Sequence, residues 1–246
     1  MSPQRALAAA VAFLTRAPLV GRMRFSEDDL VHGAVGFPLV GALIGALVGG
    51  AAALQVEFGL PLMLAAAGAV VVDVVVTGAL HLDGLADSAD GLAGRNREHT
   101  LAIMRDHGIG VYGTSAVVLD LLVKAAAIGA LPRSEIVPTL AAIYAVSRVA
   151  PLPLAAALPY AGQDGTGRVF VERMRWSIAV AGLCLAAAVA IVTVGFMASA
   201  LLGGLVVVTA AVGVAARRRL GGVTGDVLGA ATELTTLACL VAALAW

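Results

Sequence analysis

The sequence predicts an all-α, polytopic membrane protein: about seven transmembrane helices with a polar active-site cup at the cytoplasmic face. Three observations carry that reading. Of its 246 residues, 60% are hydrophobic and 13% charged, and the mean hydropathy is +0.97, more apolar surface than a soluble domain of this size can hide. The apolar residues form runs long enough to cross a bilayer as helices. The arginines gather in a few short segments between those runs, so a formal net charge of zero conceals a topological pattern and gives no sign of a nucleic-acid partner.

Residues 1–32 form a cytoplasmic or interfacial segment with Arg5, Arg16, Arg22 and Arg24. The apolar run from Leu7 to Leu14 is broken by Arg16 before any small-residue cleavage site, which favours an interfacial or re-entrant helix over a removed signal peptide. Ser26-Glu27-Asp28-Asp29 is a start signal for a short helix leading into the first span. That span covers about 33–56, with Gly41, Gly45 and Gly49 making a smooth face for close packing. A break at Glu57 to Pro61 turns the chain into a second span, about 60–80. It carries Asp73 in apolar surroundings, where an ionisable group marks function by default.

The second span runs into HLDGLADSADGL, residues 81–92, around which the chain is organised. In a helix Asp83, Asp87 and Asp90 fall at i, i+4 and i+7, so three carboxylates share one face. Such a density of hard oxygen ligands suits a divalent magnesium or manganese ion bound together with substrate phosphates. Glycines 84, 91 and 94 suggest a helix end or a broken helix.

A polar stretch of about 25 residues follows, with Arg95, Arg97, Arg105, Asp106 and His107; segments that long between spans tend to carry function. The third span, about 111–131, holds Asp120 and Lys124 at i, i+4, an ion pair neutralised inside the bundle. The fourth runs to about Leu158 and carries Arg148, expected near one membrane face, and the helix-bending Pro151 and Pro153. Residues 159–175 place Gly162, Gly165 and Gly167 beside Asp164, Arg168, Arg173 and Arg175, which suits phosphate contact and equally an ordinary flexible loop. Spans five and six, about 176–197 and 201–216, precede a loop bearing Arg217-Arg218-Arg219. The glycine-rich GGVTGDVLGA then leads into the last span, where Asp226 and Glu233 share a helix face. Cys184 and Cys239 read as buried small residues with no disulfide or zinc pattern. The whole chain, 1–246, reads as one integral membrane domain without internal repeats, its bundle spanning 33–246.

With a cytoplasmic N-terminus, seven spans put every arginine-rich segment on the cytoplasmic side and leave Arg133 opposite. The acidic motif, the 95–113 stretch, the glycine–arginine segment and the TGD segment then meet at one face. Carboxylates for a metal, arginines and glycines for phosphates, and a cup in the membrane together suggest phosphoryl-group transfer to or from an amphipathic substrate. A carboxylate or His81 would accept the proton of an attacking hydroxyl. Two rivals remain: a phosphotransferase using CDP-linked alcohols, whose pattern wants an Ala-Arg after Asp-Gly, and an ion-coupled transporter built on Asp73, Asp120, Lys124 and Glu233.

The stretches FLTRAPL (13–19), GFPLVGALIG (36–45), HLDGLADSADGL (81–92), IMRDHGIGVYG (103–113), Ser147-Arg148, PYA with its glycine-rich turn, and GGVTGDVLGAATEL (221–234) together resemble the cobalamin synthase family, the adenosylcobinamide-GDP ribazoletransferases. The resemblance implies transfer of adenosylcobinamide-phosphate from adenosylcobinamide-GDP to the 3'-hydroxyl of α-ribazole or its 5'-phosphate, with release of GMP. It implies Mg2+ as cofactor, a multi-pass protein of the bacterial inner membrane, and a site on the cytoplasmic side; it leaves a homo-oligomer open. Carried over by position, Asp83, Asp87 and Asp90 bind the metal. His81, Asp83, Asp87 and Asp106 serve catalysis, while Arg105, Arg148, Arg168, Asp226 and Glu233 line the substrate and phosphate wall. One departure stands out: where the family stretch reads DSRIG or DPRIG, this chain has Asp106-His107-Gly108-Ile109-Gly110, so either His107 supplies the cation or that contact is dispensable.

Overall fold

A computed structural model describes residues 2–17, 25–162 and 167–246. Arg22, Arg24, Asp164 and Gly165 of the motifs above lie outside the described residues. Among those described, six helical stretches are long and apolar enough to cross a membrane, and a bent pair makes a seventh. This is the architecture of a polytopic helical membrane protein. The isolated bridge between Tyr160 and Val223 is the one extended pairing among the described residues.

Helix α1 (Pro3–Leu14) starts at Ser2, and α2 (Glu27–Gly33) at Ser26, where a capping box with Asp29 satisfies the first free amides. A single 3₁₀ turn joins α2 to α3 (Phe37–Glu57), so the first span begins at the serine that announces it. After α4 (Leu62–Thr77), both Gly78 and Ala79 adopt left-handed backbone, with φ of 63° and 57°. The chain turns by 93° into α5 (Leu80–Asp90). The corner is fixed from outside: the Arg16 amide donates to the Val76 carbonyl at 2.8 Å, and the Arg16 side chain occupies the space a Cβ on Gly78 would need.

Helix α6 (Arg97–Met104) occupies part of the long polar stretch, and α7 (Val111–Ala130) forms the next span. Helices α8 (Ile136–Ser147) and α9 (Pro151–Ala157) together make the most buried span of the molecule. Every residue from Thr139 to Ser147 is buried, because α3, α11 (Trp176–Val194) and α13 (Gly225–Leu244) all pack on α8. Gly41, Gly45 and Gly49 make the α3 contact possible. A Cβ on Gly49 would lie 2.9 Å from the Val137 Cα, and on Gly41 or Gly45 it would strike the carbonyls of Tyr144 or Leu140. Close approach of small residues of this kind is how membrane helices gain packing without a hydrophobic drive.

Three expectations change at the other end of the chain. Helix α10 (Gly167–Arg173) orders part of the glycine–arginine segment. Helix α12 (Met197–Leu220) extends through Arg217, Arg218 and Arg219, which lie in its last turn, where cations complement the helix dipole. Cys239 is buried as expected, but Cys184 faces outward from α11. The outer faces of α3, α7, α11 and α12 carry exposed apolar side chains such as Leu43, Leu119, Val192 and Val207, a surface suited to lipid.

Candidate active site

The four polar segments do converge, and their ties are visible. Arg97 donates through Nε to the Leu220 carbonyl at 2.7 Å and through Nη2 to the Ala161 carbonyl at 2.8 Å. Arg219 donates to the Leu92 carbonyl at 3.0 Å, and backbone bonds pair Pro159 and Ala161 with Val223 at 2.9 Å. Carbonyls at helix ends have no partner within the helix and take such donors instead. The ties hold the 91–97 turn, the 159–162 segment and the junction of α12 and α13 side by side.

Between them opens a cavity of about 440 Å³. Helix α5 contributes Asp83 and Asp87, the loop after α6 contributes Arg105, Asp106 and His107, and the start of α13 contributes Thr224 and Asp226. Tyr160, Gly162 and Gly167 complete one wall. Gly84 of α5 rests against the Asp226 backbone, and Gly229 against Gly84 and His81, so α5 and α13 cross with no side chain between them. That crossing brings Asp226 beside Asp83 and Asp87. Thr224 caps α13, accepting from the Val227 amide at 3.3 Å and donating to Asp226 at 3.3 Å.

Other predicted site residues lie elsewhere. Asp90 is buried and turned toward α7, where its two oxygens accept from the amides of Gly110 at 2.7 Å and Gly113 at 2.8 Å. It caps the start of α7 and is absent from the cavity wall. A Cβ on Gly110 or Gly113 would meet this carboxylate, which explains both glycines. Glu233 shares a face of α13 with Asp226 but sits two turns deeper, in contact with Lys124. Arg168 is half-exposed on α10, paired with Glu172 at 2.7 Å. Arg148, expected at a membrane face, is 1% exposed, 3.8 Å from Asp73 and with its guanidinium 4.6 Å from the centre of the Tyr144 ring. His81 is buried behind the cavity. Lys124 pairs with Asp120 at 2.9 Å, as the spacing predicts, and also with Glu233 and Asp73.

Among the described residues no group of three or more histidine, cysteine, aspartate or glutamate side chains is close enough to enclose a metal ion. The donor set still fits magnesium, which keeps several waters and binds through one or two carboxylates plus substrate phosphates rather than in an all-protein cage. Asp83, Asp87 and Asp226 on one open cavity are such a set. The sequence puts Asp226 on the phosphate wall, and the structure puts it on the same cavity as Asp83 and Asp87; the helix-capping Thr224 directly before Gly225-Asp226 is the signal that sets its carboxylate at a helix start.

Residues 6–244 match the family model described as cobalamin-5-phosphate synthase. The chain belongs to the cobalamin-5-phosphate synthase family. An adenosylcobinamide-GDP ribazoletransferase of Escherichia coli O17:K52:H18 is 39% identical, the match covering 96% of this chain and 98% of the relative. Proteins of the same name from Klebsiella pneumoniae and Chlorobaculum tepidum are 36% and 37% identical, covering 96% and 98% of this chain and 98% and 95% of theirs. No solved structure matches. In this member of the family the departure at 106–110 has a geometric reading: His107 lines the cavity, Gly108 does not, and the Gly108 amide closes a turn onto Asp106 Oδ1 at 3.1 Å.

Proposed function

We propose that this chain transfers adenosylcobinamide-phosphate from adenosylcobinamide-GDP to the 3'-hydroxyl of α-ribazole or its 5'-phosphate, the final joining step of cobalamin synthesis. The observation that carries the reading is the meeting of Asp83, Asp87 and Asp226 on one cavity in a chain matched to its family from residue 6 to residue 244. The acceptor oxygen forms a bond to the phosphorus that bears the cobinamide side chain. The bond from that phosphorus to the bridging oxygen breaks, and GMP leaves.

Asp83 and Asp87, with Asp226 beside them, would hold Mg2+; bound there, it would neutralise phosphate oxygens and the charge developing on the leaving group. Arg105 and His107, on the facing loop, offer donors to the remaining phosphate oxygens. One of the cavity carboxylates accepts the hydroxyl proton. Asp106, tied to the Gly108 amide, shapes the loop that carries these donors. The positive-inside distribution of the arginines supports an inner-membrane protein with the cavity open to the cytoplasm.

The test is GMP release by detergent-solubilised protein given adenosylcobinamide-GDP, with and without α-ribazole, in magnesium and after chelation. Release requiring acceptor and metal together is the expected result. Release without acceptor would make the protein a hydrolase, and release of equal size in chelator would remove the metal.

A further inference from the structure

Behind Asp83 and Asp226 a second cavity, of about 220 Å³, extends inward and shares those two carboxylates with the first. Its wall is different in kind. Phe13 from α1, Phe37 from α3 and Phe170 from α10 line it, their three rings nearly parallel, with centroids 5.7 to 6.5 Å apart and planes within 10°. Phe37 and Phe170 are buried, whereas Phe13 is 40% exposed, so part of this aromatic surface is uncovered.

Two buried polar side chains line the same space. His81, 5% exposed, has no hydrogen-bond partner for Nδ1, and Arg148, 1% exposed, has none for Nε, among the described residues. Arg148 is nevertheless held in place, with Nη1 donating to Ser147 Oγ at 3.1 Å. Unpaired polar atoms beside aromatic rings are unfavourable unless something completes them. A ligand with a flat apolar face and polar edges would meet both the rings and these two side chains, which line the same cavity.

We propose that this inner cavity is the acceptor subsite, seating a heteroaromatic nucleoside with its base on the phenylalanine wall and its polar edge toward His81 and Arg148. The inference rests on the transferase reading and adds to it the place and chemistry of the second substrate. A two-ring base fits the inner cavity of about 220 Å³, whereas a corrin is too large for either cavity. The shared carboxylates then stand where the sugar of the inner ligand meets the phosphates of the outer one. Aromatic stacking tolerates many flat bases and discriminates against non-planar ones.

The test uses full-length protein in detergent carrying Phe170→Leu, Phe13→Leu or Phe170→Tyr. KM is measured for each substrate, and the free nucleoside is titrated without donor, by its own fluorescence. Loss of one stacked ring is expected to raise the acceptor KM and its dissociation constant about tenfold. Donor KM and kcat stay within about twofold, and Phe170→Tyr keeps wild-type acceptor values. Should Phe170→Leu fold poorly, Phe13→Leu, at a partly exposed ring, carries the comparison. Unchanged acceptor values in the leucine variants overturn the proposal, and a rise in donor KM instead assigns the cavity to the donor. Wild-type protein that binds the nucleoside yet releases no GMP keeps the subsite and removes the transferase reading; GMP release with acceptor binding indifferent to the phenylalanines does the reverse.

Discussion

Asp83, Asp87 and Asp226 face an open cavity, while Asp73, Asp120 and Glu233 are 4%, 1% and 4% exposed and gather around Lys124 and Arg148. The two sets use the same chemical group on neighbouring helices. Carboxylates on the cavity can take a metal and phosphates because their partners arrive from outside. Those of the core have cations built in beside them, Lys124 against all three and Arg148 against Asp73, and the bundle closes over them. A charge that is dry must be paired within the protein or not at all. Exposure, more than residue type, divides chemistry from architecture here.

The sharpest way to break this contrast is to neutralise the cavity. Asp83→Asn and Asp87→Asn are expected to lower GMP release about 10²- to 10³-fold, the scale of losing one preorganised electrostatic contact. The amount of folded protein in the membrane should not change. Full activity in either variant would remove it from the reaction.

Lys124→Met tests the other side. It leaves three acids facing a single arginine, and breaking a buried ion pair costs about 3–5 kcal/mol. The expected readouts are a lower thermal midpoint and a lower membrane yield, with both KM values unchanged in the protein that does insert. A stable, well-inserted but inactive variant would join the network to the chemistry.

Asp90→Ala lies between the two and sharpens the boundary. It frees the amides of Gly110 and Gly113 at the start of α7, a loss of about 1–3 kcal/mol for the buried Gly113 amide left unpaired, while the exposed Gly110 amide turns to solvent. Faster hydrogen exchange in residues 105–114, with a fall in activity smaller than for Asp83→Asn, is the expected pattern. An effect as large as that of Asp83→Asn would put Asp90 among the groups the reaction uses.

Much of this was readable in the chain because its signals are local. Apolar runs mark the spans, Ser26 marks a helix start, and the i, i+4 spacing puts Asp83 with Asp87 and Asp120 with Lys124. Face rules do not report depth or neighbours. Asp90 obeys the periodicity, yet it stands at the end of α5 where two α7 amides claim it. Asp226 and Glu233 share a stripe but are separated by about 10 Å of helix rise, enough to put one in the cavity and the other in the core. Arg148 closes a helix that hydropathy cannot distinguish from its lipid-facing neighbours, and only tertiary packing reveals how deeply α8 is enclosed. The Phe13, Phe37 and Phe170 wall draws on three segments far apart in the chain, so no single window contained it.

The crossing of α5 and α13 through Gly84 and Gly229 also sets an order of events during biogenesis. More than half of the chain lies between Asp83 and Asp226, and synthesis delivers the N-terminal part first. The first two carboxylates therefore reach the bilayer well before the third is made. Until α13 arrives, the glycine face of α5 has no partner and the cavity lacks one of its walls. A nascent or C-terminally truncated chain holds an incomplete site, and the chemistry waits for the last helix to insert.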